Sequence, residues 1–582
     1  MDLRTAEGKQ QLGKRIHSAI AAAGYDSLSA FADELGCSRA LIYQYVNGEV
    51  LVQLDRLQTI ADLTDRSLEF FFTGDDSQRK LAQQVEEAQE EARSLKTRLA
   101  EEQTERVQQA GSHRQALIDT LQRLAQSQRE AGDVPGMLET CTRWLELAEN
   151  ADDSAASTRA RLQLGHAWYR SGDYERAETR LREVLSAEEN SEQKTVFASA
   201  RQELVRVLQA RGDIAGARSQ AQIVADEESW WSQWSGRISL AALAEQSGDL
   251  ETAGKLLDEV SDIVESADQP APRIAVARTY ITANRCNLAL TRGRLQEAIE
   301  CARRLQSLAA EAGAIEQVRE AGLNLGIAMM RAGQMAEAAE HLQRIQDWAE
   351  VSGDDRLLAL VTVFKSEHAR HGGDTETSRA LALEAVELAG DMARTDVLPW
   401  ALLNAGYDYL NTEQISDARY HFQRCAKTAT ELGLHKPQLA AQMHLAALDG
   451  DREGLQKALQ EAEETGYDDL RASAHTLLAD VAIGSDIFAA LEAARDLAHQ
   501  IGDFWGECRA RLKLSQALLR SGQLNEATNE LVQLVAEKRK HASDDDAEGA
   551  LRDERRVCAF LADAYAARGQ TEKAERIHGM CS

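Results

Sequence analysis

The chain is poor in proline and in aromatic residues. Of its 582 residues, five are Pro, and Phe, Trp and Tyr together make up 5%. This composition disfavours a β-sandwich, a β-barrel and a proline-rich disordered chain. No apolar run approaches the roughly 18 residues that cross a bilayer, and the N-terminus lacks the basic and then apolar pattern of a secretory signal. We therefore expect an all-α protein of the cytoplasm that does not contact a membrane.

Cysteine pairs and an excess of positive charge are also missing. The eight cysteines contain no CxxC pair, which disfavours both a disulfide framework and a Cys-rich zinc site and fits a reducing cytoplasm. The 95 Asp and Glu outnumber the 66 Lys and Arg, for a net charge of −29. A surface of this sign repels nucleic acid over most of its area. Any contact with DNA must therefore be confined to a small patch.

Motifs of catalysis and of cofactor or metal binding are not evident. The sequence has no phosphate loop, no dinucleotide-binding glycine motif after a strand and no nucleophile elbow. His368 and His371 lie three residues apart beside Glu367, but no third metal ligand accompanies them, so we interpret them as solvated histidines. We expect a protein that is not an enzyme and that holds neither a cofactor nor a metal.

Residues 9–73 predict five short helices, because apolar residues recur there at helical spacing in short bursts. Within residues 31–48, Gly36 lies in a tight turn between two helices, Ser38 can cap the second, and Asn47-Gly48 ends it. This stretch resembles the helix-turn-helix of the Cro-type (XRE) phage repressors, and residues 57–71 resemble the last two helices of that family. The resemblance implies a DNA-binding domain over residues 1–75.

In that family the third helix lies in the major groove, where its solvent-facing residues contact base edges. The resemblance implies four residues at the bases and three at phosphates, namely Arg39, Ala40, Tyr43 and Gln44, and Ser29, Ser38 and Asn47. Residues 1–75 carry seven Lys or Arg and eleven Asp or Glu, a net −4. Since phosphate neutralisation supplies most protein–DNA affinity, a helix-turn-helix used for contact with another protein stays open as an alternative.

Residues 77–114 predict a coiled-coil or linker helix. Residues 77–110 contain neither Gly nor Pro, and apolar residues follow one another at alternating steps of four and three. The residues of this seam are Leu81, Val85, Ala88, Ala92, Leu95 and Leu99. One interpretation is a coiled coil that makes a homodimer, because helix-turn-helix proteins pair two heads on two half-sites. The other is a single linker helix that packs on the following domain.

Residues 115–582 contain a repeat of about 40 residues. A Gly is followed five residues later by an Ala, as in Gly333 and Ala338 or Gly484 and Ala489, and Glu413 stands at one of the Gly positions. Glycine permits a tight turn, and alanine lets two helices approach closely. The pattern resembles the tetratricopeptide repeat family. The resemblance implies about twelve helical hairpins that form a right-handed superhelical solenoid with a curved groove.

The groove is the expected ligand site. Asn284, Asn324 and Asn404 each stand nine residues before their turn, at a position that borders the groove in this repeat family. Carboxamides both donate and accept hydrogen bonds, which suits the backbone of an extended peptide. With the residues near them they form the candidate ligand site, which consists of Asn284, Asn287, Asn324, Arg331, Trp400, Asn404, Tyr407 and Asn411.

The combination of these parts resembles the bacterial and phage regulators that sense small signalling peptides. It implies a dimeric transcription regulator that binds a double-stranded operator and whose repeat array binds a short peptide or a protein partner. A ligand with different affinities for two shapes of the array would then control the DNA-binding head. The alternative is a repeat scaffold that docks other proteins and whose helix-turn-helix binds DNA weakly or not at all.

Overall fold

A computed structural model describes residues 5–73, 85–97, 112–187, 193–392, 395–541 and 552–580. Throughout these ranges the regular secondary structure is helical, as the sequence predicts. The chain divides into two compact units, Met1–Ser94 and Leu95–Ser582. None of the helices in the described ranges is long and apolar enough to cross a membrane.

The first unit contains the five short helices that the sequence predicts. They are α1 (Ala6–Ala22), α2 (Leu28–Glu34), α3 (Arg39–Val46), α4 (Leu54–Leu63) and α5 (Leu68–Thr73). Ser27, not Ser29, caps α2, and the Ser38 side chain accepts a hydrogen bond from the Leu41 amide at the start of α3. The core contains apolar residues from all five helices, among them Ile16, Phe31, Ile42, Ile60 and Phe71 at 0% exposure.

Close packing against α1 fixes the position of α3. A side chain at Gly13 would collide with the backbone of Val46 at the end of α3. A side chain at Gly48, which has a φ of 71°, would collide with the backbone of Gln10. The two glycines therefore allow α1 and the end of α3 to touch backbone to backbone, and the opposite face of α3 is left to the solvent.

Helix α6 covers residues 85–97. It contains four of the six residues of the predicted coiled-coil seam, while Leu81 and Leu99 lie outside the described residues. Ala92 and Leu95 are 8% and 6% exposed within the single chain. These two side chains are therefore already covered within the single chain.

Within its described residues, the second unit contains twelve helix pairs in series. Their helices are α7 (Ser112–Ala131), α8 (Val134–Glu149), α9 (Ser154–Arg170), α10 (Tyr174–Ser186), α11 (Lys194–Ala210), α12 (Ile214–Ala225), α13 (Trp230–Gln246), α14 (Leu250–Glu265), α15 (Ala271–Arg292), α16 (Leu295–Ala312), α17 (Ile315–Arg331), α18 (Met335–Ser352), α19 (Asp355–His371), α20 (Thr375–Asp391), α21 (Leu398–Asn411), α22 (Ile415–Glu431), α23 (His435–Asp449), α24 (Arg452–Thr465), α25 (Asp468–Val481), α26 (Asp486–Ile501), α27 (Phe504–Arg520), α28 (Leu524–His541), α29 (Arg552–Ala567) and α30 (Thr571–Met580).

The turns inside the pairs fall where the repeat pattern predicts them. Every predicted turn position has a positive φ, including Glu413 at 60°, although a side chain makes that conformation unfavourable. One helix contact differs from the prediction. Ala489 is exposed, and α26 instead buries Leu491, Ala494 and Ala498. The buried face of α26 thus begins two residues after the position that the Gly–Ala spacing predicts. Ala489 is therefore not the residue at which two helices approach closely.

The array makes contacts between pairs that are far apart in the sequence. Several turn glycines pack against residues five helix pairs further along the chain. These contacts join Gly132 to Trp348, Gly172 to Met392, Gly212 to Leu432, Gly293 to Asp469 and Gly333 to Phe504. Polar contacts accompany them, such as the ion pair of Arg170 with Asp354. Successive turns of the solenoid therefore touch, which the repeat pattern did not predict.

Cysteine chemistry differs from the sequence analysis at one position. Cys558 is buried and disulfide-bonded. Cys141, Cys286 and Cys425 are buried thiols whose pKa values are raised by burial. A disulfide is unusual in a reducing compartment, and the spacing of the cysteines gave no sign of this one.

Candidate functional site

The solvent face of α3 carries the side chains that the sequence analysis assigned to the bases. Arg39, Ala40 and Tyr43 are exposed, and Gln44 is partly exposed. On the opposite face Ile42 and Tyr45 are 0% and 5% exposed. The Arg39 guanidinium lies 3.7 Å from a carboxylate oxygen of Asp33, and both side chains are about 70% exposed. Such an exposed pair is weak, so Arg39 is available to another partner.

The three predicted phosphate contacts differ in their surroundings. Ser38 and Asn47 are exposed at the two ends of α3, where Ser38 is the N-cap. The Asn47 side chain donates to Glu49 at 3.3 Å. In contrast, the Ser29 hydroxyl is buried and has no hydrogen-bond partner within the described chain. A phosphate could reach Ser29 only if its side chain rotated, so Ser38 and Asn47 are the better-placed candidates.

All eight predicted ligand residues line two cavities inside the array. The amide cavity has a volume of about 350 Å³ and is lined by Asn284, Asn287, Asn324 and Glu245, among others. The arginine cavity has a volume of about 430 Å³, and its lining includes Asn404, Tyr407, Asn411, Arg370 and Arg509. Arg331 and Trp400 line both cavities, which therefore adjoin.

The asparagines of the amide cavity are bonded to the protein itself. Asn324 Nδ2 donates to Asn287 Oδ1 at 2.6 Å, and Asn287 Nδ2 donates to Glu320 Oε1 at 2.9 Å. Asn284 Nδ2 donates to the Tyr280 carbonyl oxygen one turn earlier in α15, at 2.9 Å. A carboxamide has two donor hydrogens and an acceptor oxygen. Each of these side chains can thus hold its protein partner and still bond a ligand.

Asn404 has the same double role between neighbouring helix pairs. Its Nδ2 donates to the Val363 carbonyl oxygen at 2.8 Å, across from α21 to α19. Its Oδ1 accepts from Arg370 Nη2 at 3.3 Å. Asn404 is 5% exposed. It therefore links two repeats and also orients an arginine that faces the arginine cavity.

A buried ion pair stands where the two cavities meet. Arg331 Nε and Nη2 donate to the two Glu367 oxygens at 2.9 and 3.1 Å. Burial alone would raise the pKa of Glu367, but the Arg331 charge holds it well below its usual value. The pair is bidentate and mostly buried, with side-chain exposures of 24% and 10%, and in such a setting removal of one partner is destabilising. Arg331 therefore has a structural partner already.

The histidines near this pair are packed, not solvated as the sequence analysis expected. His371 stacks on the Trp505 ring with the ring centroids 4.7 Å apart. Its burial, and next to that the charges of Arg370 and Arg509, lower its pKa to about 4, although Glu367 acts in the opposite direction. His368 Nε2 lies 2.9 Å from the Met335 carbonyl oxygen. Within the described residues no group of three or more His, Cys, Asp or Glu side chains could hold a metal.

The electrostatics of the amide cavity centre on a carboxyl group. Glu245 accepts a hydrogen bond from the Thr291 hydroxyl at 2.5 Å. Burial raises the pKa of Glu245 to about 7, although the Thr291 bond and the Lys436 charge oppose this shift. Burial also raises the pKa of Glu320, the acceptor of Asn287. At neutral pH the amide cavity thus has a carboxyl group that changes charge over a narrow range.

Sequence reasoning missed several lining residues for two reasons. Glu367 and His444 stand six residues before their turns, the same position as Asn287 and Tyr407. A comparison of the residues six positions before each turn could have identified both of them. Trp505 and Arg509 lie on α27 and reach the arginine cavity because successive solenoid turns touch. No local spacing in the sequence carries that information.

Comparisons with known proteins give no family. No family model matches the chain, and no curated protein matches it. Among solved structures, a Rap protein complexed with competence and sporulation factor has 10% identity and a TM-score of 0.45, over 64% of this chain and 99% of that one. NprR in complex with its cognate peptide NprX has 13% identity and a TM-score of 0.43, over 59% of this chain and 98% of that one.

A third structure comes from a different kind of assembly. The APC/C hetero-tetramer Cut9–Hcn1 has 13% identity and a TM-score of 0.41, over 79% of this chain and 85% of that one. At these identities the likeness concerns the helical fold alone.

Proposed function

We propose that this chain is a cytoplasmic, dimeric transcription regulator that binds DNA through α3 and a short peptide through its helical array. The observation that carries the proposal is the exposed face of α3. Arg39, Tyr43 and Gln44 point away from a core that Ile42 and Tyr45 fill. An arginine and a glutamine on one face of a helix of this kind can pair with guanine and adenine edges.

The array supplies the ligand-responsive part of the proposal. Its two adjoining cavities carry carboxamides for a peptide backbone and aromatic and charged groups for side chains. Contacts between successive solenoid turns lie around these cavities, as between Gly333 and Phe504. A peptide that binds more tightly when those turns are closed, or when they are open, shifts the population of the two forms. That shift is the proposed signal to the DNA-binding head.

Dimerisation would raise the affinity of the DNA-binding head for its operator. A head that contacts one half-site with a net charge of −4 gains little affinity from phosphates. Two heads on two half-sites would overcome this. Ala92 and Leu95 are covered in the single chain.

The second candidate function is a protein-docking scaffold. The net charge of the head, −4 over residues 1–75, favours it. In that case the repeat array docks proteins, and the helix-turn-helix is vestigial.

Selection of random duplex DNA by the full chain at about 150 mM salt separates the two candidates. We expect a palindromic motif whose half-sites lie about one or two helical turns apart. The double variant Arg39→Ala, Gln44→Ala should not enrich it. The absence of any enriched motif, with and without added peptide pools, would favour the scaffold and overturn the regulator.

A further inference from the structure

The charged groups around the arginine cavity are mostly paired with one another. Besides the Arg331–Glu367 pair, Lys436 Nζ lies 2.7 Å from Asp469 Oδ2. Lys513 Nζ donates to both Asp480 oxygens at 2.6 Å. Two arginines of the lining are held less closely in the described part of the chain: Arg370, whose ion pair with Asp408 spans 3.6 Å without a hydrogen bond, and the exposed Arg509.

Arg370 has one half of its guanidinium unoccupied. Its side chain is 10% exposed, and Nη2 donates to Asn404. Its Nη1 is buried and makes no hydrogen bond to any described residue. Arg370 forms an ion pair with the buried Asp408, whose Oδ1 lies 3.6 Å from Nη1, beyond hydrogen-bond distance, and accepts from the Ser378 hydroxyl at 2.8 Å. The other Asp408 oxygen is buried and makes no hydrogen bond to a described residue. A buried donor without an acceptor is unfavourable, so this atom is prepared for an acceptor from outside the chain.

Arg509 completes the arrangement from the opposite side of the solenoid turn. It lies on α27 and lines the same cavity as Arg370. It forms neither a hydrogen bond nor an ion pair within the described residues, apart from the longer-range influence of Asp503. The Asp503 side chain is itself occupied, because it accepts from the Gly506 amide at 2.9 Å as the N-cap of α27. Arg509 is therefore an exposed cation to which no described carboxylate comes within ion-pair distance.

His444 and Tyr407 form the wall beside these arginines. Burial, with the charges of Arg509 and Lys513, lowers the pKa of His444 to about 3, so its ring is neutral. Its Nδ1 is buried and has no hydrogen-bond partner in the described chain. The Arg370 guanidinium lies 5.2 Å from the centroid of the Tyr407 ring. Aromatic surfaces on this side restrict water and strengthen any charge interaction made there.

We propose that the arginine cavity is a carboxylate-binding subsite in which Arg370 and Arg509 hold an anionic group of the peptide ligand. This inference rests on the proposed function, because it assumes that the array binds a peptide. A guanidinium donates to the two oxygens of a carboxylate from a planar fork. The carboxamides of the adjoining amide cavity would bond the peptide backbone. The carboxylate comes from the C-terminus of the peptide or from an Asp or Glu side chain.

Binding of peptide pools to the full chain tests the subsite. Pentapeptides that bind in native mass spectrometry are identified by mass, synthesised with a free C-terminal carboxylate or a C-terminal amide, and titrated by calorimetry. A third form has the amide and one Glu side chain, which separates the two sources of the carboxylate. Inorganic phosphate is added as a competitor. The variants are Arg509→Gln and Arg370→Gln, with Arg520→Gln as the matched control.

Arg520 is a suitable control because it is an exposed arginine on the same helix, α27, and lies outside the cavity lining. We expect Arg509→Gln to weaken the carboxylate form about 30-fold or more, and Arg520→Gln to leave it unchanged. Amidation should weaken binding to the wild type to a similar degree, unless a Glu side chain restores it. The amide form should bind equally to the wild type and to Arg509→Gln. Arg509 is exposed, so this variant tests the subsite even if Arg370→Gln does not fold.

Three results would overturn the subsite. Equal binding of the carboxylate and amide forms would show that the arginine cavity does not recognise a carboxylate. Equal effects of Arg509→Gln and Arg520→Gln would show the same. Either result leaves the proposed peptide sensing standing. Displacement of the peptide by phosphate at comparable concentration would assign the cavity to a free phosphate. If no peptide binds in any form, both the subsite and the peptide-sensing part of the proposed function fail.

Discussion

The indole Nε1 of Trp505 donates a hydrogen bond to the carbonyl oxygen of Met330, 2.9 Å away. Trp505 lies on α27 and Met330 near the end of α17, five helix pairs earlier in the array. The same indole ring stacks on His371 and lines the arginine cavity. One side chain thus connects two successive solenoid turns at the wall of the candidate ligand site.

Trp505→Phe removes the indole donor and keeps an aromatic ring. We expect the free energy of unfolding to fall by about 1 kcal/mol, the contribution of one hydrogen bond. We also expect faster amide hydrogen exchange at the contact, in residues 325–335 and 504–512, because the two turns separate more often. Trp231→Phe is the control, since Trp231 is 37% exposed. Equal exchange in the two variants would mean that the Trp505 bond does not hold the turns together.

The asparagines should differ in their importance for stability. Asn404 bonds α21 to α19, whereas Asn284 bonds the preceding turn of its own helix. We expect Asn404→Ala to lower the free energy of unfolding by about 1–3 kcal/mol and Asn284→Ala by about 1 kcal/mol or less. Denaturant titration measures both. A larger loss for Asn284→Ala would contradict the assignment of Asn404 as a link between repeats.

Glu245 should make stability depend on pH. Its pKa of about 7 in the fold exceeds the ordinary value of about 4.3 in an unfolded chain. Between these values the folded state holds the proton more tightly, so the Glu245 contribution to stability falls as the pH rises towards 7 and stays low above it. The full effect is at most about 4 kcal/mol.

Glu245→Gln is the neutral counterpart that tests this. We expect it to stabilise the protein relative to the wild type at pH 8 more than at pH 5, measured by thermal unfolding. Glu251→Gln, whose side chain is 80% exposed in the wild type, serves as the control and should have no such pH dependence. A pH-independent difference for Glu245→Gln would show that this carboxyl titrates normally.

The face of α3 should determine DNA specificity. On a duplex selected by the full chain, Arg39→Ala and Gln44→Ala should each weaken binding by about 1–3 kcal/mol and relax preference at one base pair. Fluorescence anisotropy with single-base variants of the duplex measures both effects. Arg66→Ala is a suitable control, because Arg66 lies outside α3. Unchanged affinity in both α3 variants would exclude α3 as the recognition helix.

Local sequence patterns predicted the helices and the turns of this protein well. The Gly36 turn and the Ser38 cap depend only on neighbouring residues, and so does the left-handed turn at every repeat, even at Glu413. The Gly–Ala spacing gave a wrong prediction at Ala489, because α26 buries the face that contains Leu491. The repeat spacing also predicted that asparagines border the groove, and Asn287, Asn324 and Asn404 do line the interior cavities.

The chemistry of the cavities could not be predicted in the same way. Arg370 and Arg509 face one space because pairs of the array that are distant in sequence come into contact. The small rotation between consecutive repeats decides how many repeats make one turn, and it accumulates over the array. A small difference per repeat would place α27 elsewhere and leave Trp505 without Met330. No motif within a single repeat encodes this accumulated rotation.

The central claim is that ligand in the array controls the affinity of the head for DNA. It is tested most directly by titration of the selected duplex with the full chain, without peptide and with a saturating concentration of a peptide that binds the array. The account predicts that the Kd for the duplex changes by about fivefold or more, and that this change is lost in a variant that no longer binds the peptide. An identical Kd with and without saturating peptide would contradict it.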